Sequence, residues 1–226
     1  MRTNLITKHL KNLSLLFSAF MLLSVTLASC SKDKNSAALT AHVQVANSAQ
    51  GSAPQDFYLN NAKVTASAVA YGQSSAFITS STGDRAGAFK NTGSAATNAS
   101  VNLSLEAGKY YTVFYIDDNS STTVEDDRTA PQTGKARIRF INLSSALSSN
   151  LDFAVSGGAK LVSAIAYKGA SAYYDVDPAT TFKINVSGSS STLVTIPTTI
   201  TAGHIYTIFV SGNSNATITY HQVTES

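Results

Sequence analysis

The sequence predicts an all-β protein built as two tandem immunoglobulin-like antiparallel β-sandwich domains, and three observations predict it. Apolar residues recur at alternate positions in short runs, and no window past residue 36 carries a sustained helical stripe. The chain also repeats itself at an offset of about 95 residues, too long for a solenoid unit and suited to a small duplicated domain. In order along the chain, AHVQVAN (Ala41 to Asn47) pairs with ARIRFIN (Ala136 to Asn142), and DFYL at Asp56 with DFAV at Asp152. AVAYGQSSAF at Ala68 then pairs with AIAYKGASAY at Ala164, and LEAGKYYTVFYID at Leu105 with ITAGHIYTIFVSG at Ile200.

Each phrase has a strand's character. Val43 and Val45, Phe57 and Leu59, and Val101, Leu103 and Leu105 alternate in the first copy, as do Ile138 and Phe140, and Phe153 and Val155, in the second. β-Branched and aromatic residues crowd these runs. Tyr111 follows Leu105 around Gly108, and Tyr206 follows Ile200 around Gly203. That spacing resembles the tyrosine corner of immunoglobulin-like sandwiches, so Tyr111 and Tyr206 are predicted to be structural. Asp117 to Ser120 and Asn213 to Asn215 read as turns of a terminal hairpin in each copy. The first sandwich is placed at 39–127, a short linker at 128–134 and the second sandwich at 135–226.

Residues 1–29 read as a signal peptide, with Arg2, Lys8 and Lys11 ahead of an apolar run and small residues at its end. Leu27-Ala28-Ser29-Cys30 resembles the bacterial lipobox, which makes Cys30, the only cysteine, the expected lipidation site and residues 30–38 a lipidated tether. Acyl chains add about 0.8 kcal/mol per buried methylene, so two or more anchor a protein without a spanning segment. Ser31 after the cysteine resembles lipoproteins sent on to the bacterial outer membrane, on its periplasmic or its surface side. Cleavage removes three of the 16 cations and none of the 13 acids, leaving a mature chain with no formal net charge. Nucleic acid is therefore not an expected partner, because its binding rests on a cationic footprint.

ARIRFINLS, the spaced DF and AIAY phrases, LEAGKYYTVF and the acid-then-proline linker before GKARIRF resemble the bacterial envelope family catalogued as domain of unknown function 4397. The likeness runs from about Leu39 to Val223, with the second copy matching better. It implies a β-sandwich and an envelope address, often in Bacteroidetes. It carries no catalytic residues.

Candidate chemistry is sparse. His42, His204 and His221 lack zinc-site spacing, no G-x-S-x-G occurs, and no enzyme activity or cofactor is expected. Asp117, Asp118, Asp126 and Asp127, with Glu125, form the one acidic cluster and are weak calcium candidates. Lys135, Arg137 and Arg139 alternate along a strand and read as a solvated face. Tyr71, Ser75 and Phe77, equivalent to Tyr167, Ser171 and Tyr173, are the candidate recognition surface, since aromatic and hydroxyl groups suit sugars. Core packing is the simpler reading of those tyrosines. The expectation is a non-catalytic envelope lipoprotein that acts as a binding, adhesion or assembly module, with a glycan or an envelope protein as partner. An accessory subunit of an outer-membrane nutrient-uptake system is the alternative, followed by a hydrolase with an unrecognised site.

Overall fold

A computed structural model describes residues 39–225, apart from Ser148, Thr198 and Asn215. Cys30, the signal peptide and the tether lie outside the described residues. The first half runs β1 (Thr40–Asn47), β2 (Gln55–Leu59), β3 (Ala62–Lys63), β4 (Ile78–Ser81), β5 (Gly83–Asn91), β6 (Ala99–Leu105), β7 (Tyr110–Ile116) and β8 (Ser120–Asp126). The second half repeats the plan as β9 (Ala136–Asn142), β10 (Leu151–Val155), β11 (Lys160–Ile165), β12 (Tyr174–Val176), β13 (Phe182–Val186), β14 (Thr192–Ile196), β15 (Ile205–Ser211) and β16 (Thr219–Thr224). No helix occurs among the described residues, so none there is long and apolar enough to cross a membrane.

Each half is a two-sheet sandwich. The first pairs an outer sheet, β3-β2-β5-β6, with an inner sheet, β4-β1-β7-β8; the second pairs β11-β10-β13-β14 with β12-β9-β15-β16 in the same roles. Alternate apolar residues fill a core in each, around Val43, Phe57, Phe89 and Val113 in one and Phe140, Phe153, Phe182 and Ile208 in the other. The antiparallel expectation holds for every pairing but one per sandwich. β1 runs parallel to β7, and β9 parallel to β15.

The reason lies in what covers those strands. A third apolar cluster, Ala46, Phe114, Ile116, Ile141, Leu143, Phe209 and Val223, joins the two inner sheets face to face. The central strands β1, β7, β9 and β15 are thus largely buried on both sides, β15 at every position, and parallel strands with near-continuous apolar sequence belong in such places. The result is four stacked sheets within one compact unit. Phe114 and Phe209, equivalent residues, meet edge to face across the contact at 5.4 Å between ring centroids.

Equivalent devices recur at the sandwich ends. Gly108 and Gly203 take positive φ values of 74° and 84° in the turn before β7 and β15, where a side chain would be strained. Their amides donate to Thr40 and Lys135 carbonyls at 2.7 and 2.8 Å. Tyr111 and Tyr206 are buried, and each hydroxyl accepts an upstream backbone N–H at 3.2 Å, from Glu106 and Thr201 respectively.

Candidate functional site

The segments that follow the AVAY and AIAY phrases do not form one continuous surface. Each crosses to the other sandwich. The Tyr71 hydroxyl lies 2.9 Å from the Ser211 hydroxyl of the second half, and its ring sits edge-on to His221. The Tyr167 hydroxyl donates to Asp118 of the first half at 2.9 Å, while Lys168 donates to Ser120 at 2.6 Å. Burial pushes up the pKa of both tyrosines, and at Tyr167 the Asp118 carboxylate adds to it. Burial works against the charge on Asp118, yet donors from Ser120 and Tyr167 and the Lys168 cation together hold its pKa below the usual carboxylate range.

Ser75 and Ser171 mend strand edges. Each hydroxyl accepts the amide of a neighbouring strand, Val45 at 3.0 Å and Phe140 at 2.9 Å, and donates to the next carbonyl in its own segment. Phe77 lies edge-on to Tyr110, which stacks on His42, and the Arg128 guanidinium covers both Phe77 and Tyr110. Its equivalent, Tyr173, sits under Arg137 and Arg139. Tyr110 and Arg128 are participants that the alternation pattern did not single out, because neither has an equivalent of the same kind in the second copy.

The acidic residues separate onto different partners. Asp117 accepts the Gln50 amide, and burial raises its pKa against that hydrogen bond. Glu125 pairs with Lys109 and Asp127 with Arg137, each at 2.5 Å. Among the described residues no three histidine, cysteine or acidic groups come together as a metal site.

Arg139 overturns the solvated-face reading at its own position, while Lys135 and Arg137 stay partly exposed. The Arg139 side chain is 2% exposed and lies between the two inner sheets. It pairs with Asp126, donates to the Glu125 carbonyl at 2.8 Å and to the Thr207 hydroxyl at 2.7 Å, and reaches Glu225 at 3.3 Å. Thr207 in turn donates to Glu225, and the Tyr173 hydroxyl donates to the same carboxylate at 2.9 Å. The strand registers make the members pairwise equivalent: Gln44 with Arg139, Thr112 with Thr207, Asp126 with Glu225.

Beside this network lies an open cleft of about 550 Å³, walled by Gly72 to Phe77 on one side and Gln222 to Glu225 on the other, with Gln44 at its base. Gly72 is required there, since a Cβ would lie 2.5 Å from the His221 ring. The exposed polar groups of the walls, Gln73 and Thr224, are uncharged, and Glu225 is turned inward to its donors. The arrangement can present amide, hydroxyl and ring surface to a ligand.

Residues 41–154 match the family described as domain of unknown function (DUF4397). The chain belongs to this family. The matched DUF4397 residues cover the first sandwich and extend through β9 into β10, so the match falls mainly on the first copy, where the sequence alone had favoured the second. No curated protein matches the chain. Among solved structures, the crystal structure of CBMbc (family CBM26) from Eubacterium rectale Amy13K in complex with maltoheptaose is similar at 14% identity, covering 80% of this chain and 97% of that one, with a TM-score of 0.29. At that distance the maltoheptaose of the module says nothing about this DUF4397 protein.

Proposed function

We propose that this protein is a non-catalytic lipoprotein of the bacterial outer membrane, two tandem DUF4397 sandwiches tethered through Cys30, that works as a binding or assembly module for a neutral glycan or another envelope protein. The cleft between the 72–77 segment and β16 carries the reading. Its uncharged amides and hydroxyls, with the Phe77 ring at one end, match the hydroxyl-rich, charge-free surface of a sugar better than an ionic ligand. A glycan array probed with the full-length chain in mild detergent tests it. Neutral oligosaccharides should bind, and Gln222→Ala should weaken binding about tenfold, the cost of one or two lost hydrogen bonds. Failure to bind any glycan, together with co-purification of an outer-membrane transporter, would replace this reading with the uptake-accessory one. The tether has its own test: Cys30→Ala should abolish labelling by a fatty-acid probe and leave an unprocessed precursor. Surviving labelling would remove the anchor from the proposal.

A further inference from the structure

We infer that Asp126 is a buried proton-binding site that sets how tightly the two sandwiches hold each other. The geometry counts three ionisable groups between the inner sheets, two carboxylates and one guanidinium, all with side chains at most 2% exposed. Fully ionised, they leave one negative charge in a low-dielectric place, where an uncompensated charge is costly. One bound proton removes it.

The hydrogen-bond pattern says which oxygen takes that proton. Glu225 already receives three donors, from Thr207, Tyr173 and Arg139. On Asp126, Oδ1 accepts from Arg139, whereas Oδ2 faces the Thr112 hydroxyl at 2.8 Å. That hydroxyl has a single hydrogen and a second acceptor, Gln44 Oε1, at 3.4 Å. A proton on Oδ2 completes the chain, because Asp126 then donates to Thr112 and Thr112 donates to Gln44. The carboxylic acid state satisfies every group; the carboxylate state leaves Gln44 Oε1 without this donor.

The electrostatics point the same way. Burial, opposed by Arg139 and assisted by Glu225, pushes the Asp126 pKa from 3.8 up to about 6. The surrounding titratable and charged groups are Arg139 from β9, Glu225 beyond β16 and Tyr173 ahead of β12, with the Lys109–Glu125 and Arg137–Asp127 pairs alongside. Tyr173 stays a donor, since burial raises its pKa well above the usual phenol range. The folded pKa exceeds the unfolded one, so the bound proton stabilises the fold at low pH. That stabilisation is lost as pH rises from about 4 through about 6. His221, further along β16, acts in the opposite sense. Burial lowers its pKa, so holding it neutral costs nothing above about 6.5 and destabilises the fold as pH falls below that.

Carbon-13 NMR of the full-length chain with labelled aspartate carboxyls tests the inference. One resonance should titrate near pH 6, vanish in Asp126→Asn and persist in Asp117→Asn, which removes the other aspartate raised by burial. Urea unfolding separates Asp126 from His221, because only the difference between wild type and Asp126→Asn is read. That ratio of unfolding constants should change about tenfold per pH unit between pH 4 and 6 and be flat above. Should Asp126→Asn fail to fold, the wild-type and Asp117→Asn titrations decide the matter alone. An Asp126 midpoint below about 4.5, or no aspartate resonance titrating near 6, would overturn the proposal.

Discussion

Replacing Arg139 by glutamine, the side chain the first half carries at the equivalent Gln44, tests whether the inner sheets are locked by a dry ionic network. Arg139→Gln removes the contacts to the Glu125 carbonyl at 2.8 Å, to Thr207 at 2.7 Å and to both carboxylates. It leaves Asp126 and Glu225 facing each other with side chains fully buried. Removing one partner from a buried ionic group costs about 3–5 kcal/mol, because the remaining charge stays buried. That is roughly a 150- to 5,000-fold rise in the unfolding constant. The loss should be greater at pH 8 than at pH 5, where a proton on Asp126 removes half of the stranded charge. Urea titrations followed by far-ultraviolet circular dichroism measure it. A two-step transition would show the sandwiches unfolding separately once the lock is gone. A loss under about 1 kcal/mol at pH 8 would mean that water reaches the network, and the reasoning from burial would fail.

Other outcomes follow from the same contacts. Phe209→Ala opens a cavity between the inner sheets and should cost about 3–5 kcal/mol, with a broadened or split urea transition, because its ring is fully buried against Phe114. Tyr111→Phe and Tyr206→Phe each remove one hydroxyl anchor and should cost about 1 kcal/mol. Those two losses should add in the double variant, measured by thermal unfolding, since the tyrosines belong to different cores.

The sandwich cores were legible because period two marks a strand with one buried face: Val43 and Val45, or Ile138 and Phe140, point inward at every second step. The contact between sandwiches was also written, though in a less specific form. In YYTVFYI and IYTIFVS the out-of-phase residues Phe114 and Phe209 are as apolar as their in-phase neighbours, a sign that both faces are covered. Period-two counting passes over that sign, since it registers one face at a time. Arg139 was hidden for a different reason. A cation alternating with apolar residues reads as the wet side of a strand, and its partners Asp126 and Glu225 lie 13 and 86 positions away with no local mark. Tyr71 and Tyr167 stand out in the sequence as a matched pair, but matching by itself does not distinguish a shared ligand surface from a shared seam.

The two halves share one strand plan, so the seam between them is nearly symmetric, and the one place where symmetry breaks carries a physical consequence. Two acids, Asp126 and Glu225, occupy equivalent positions, while the residues facing them are Gln44 on one side and Arg139 on the other. Two glutamines would leave both acids to be neutralised by protons, and two arginines would neutralise both without any. In the second case two guanidiniums would also crowd the same buried space. Only the mixed pair balances one acid with a fixed charge and leaves the other to a proton. Thr112 and Thr207, which are identical, consequently do different work: Thr207 relays Arg139 to Glu225, and Thr112 links Asp126 to Gln44. Gln44→Arg should therefore abolish the pH dependence assigned to Asp126 even if the added bulk lowers stability, and a slope that survives that change would show that the odd charge was never the cause.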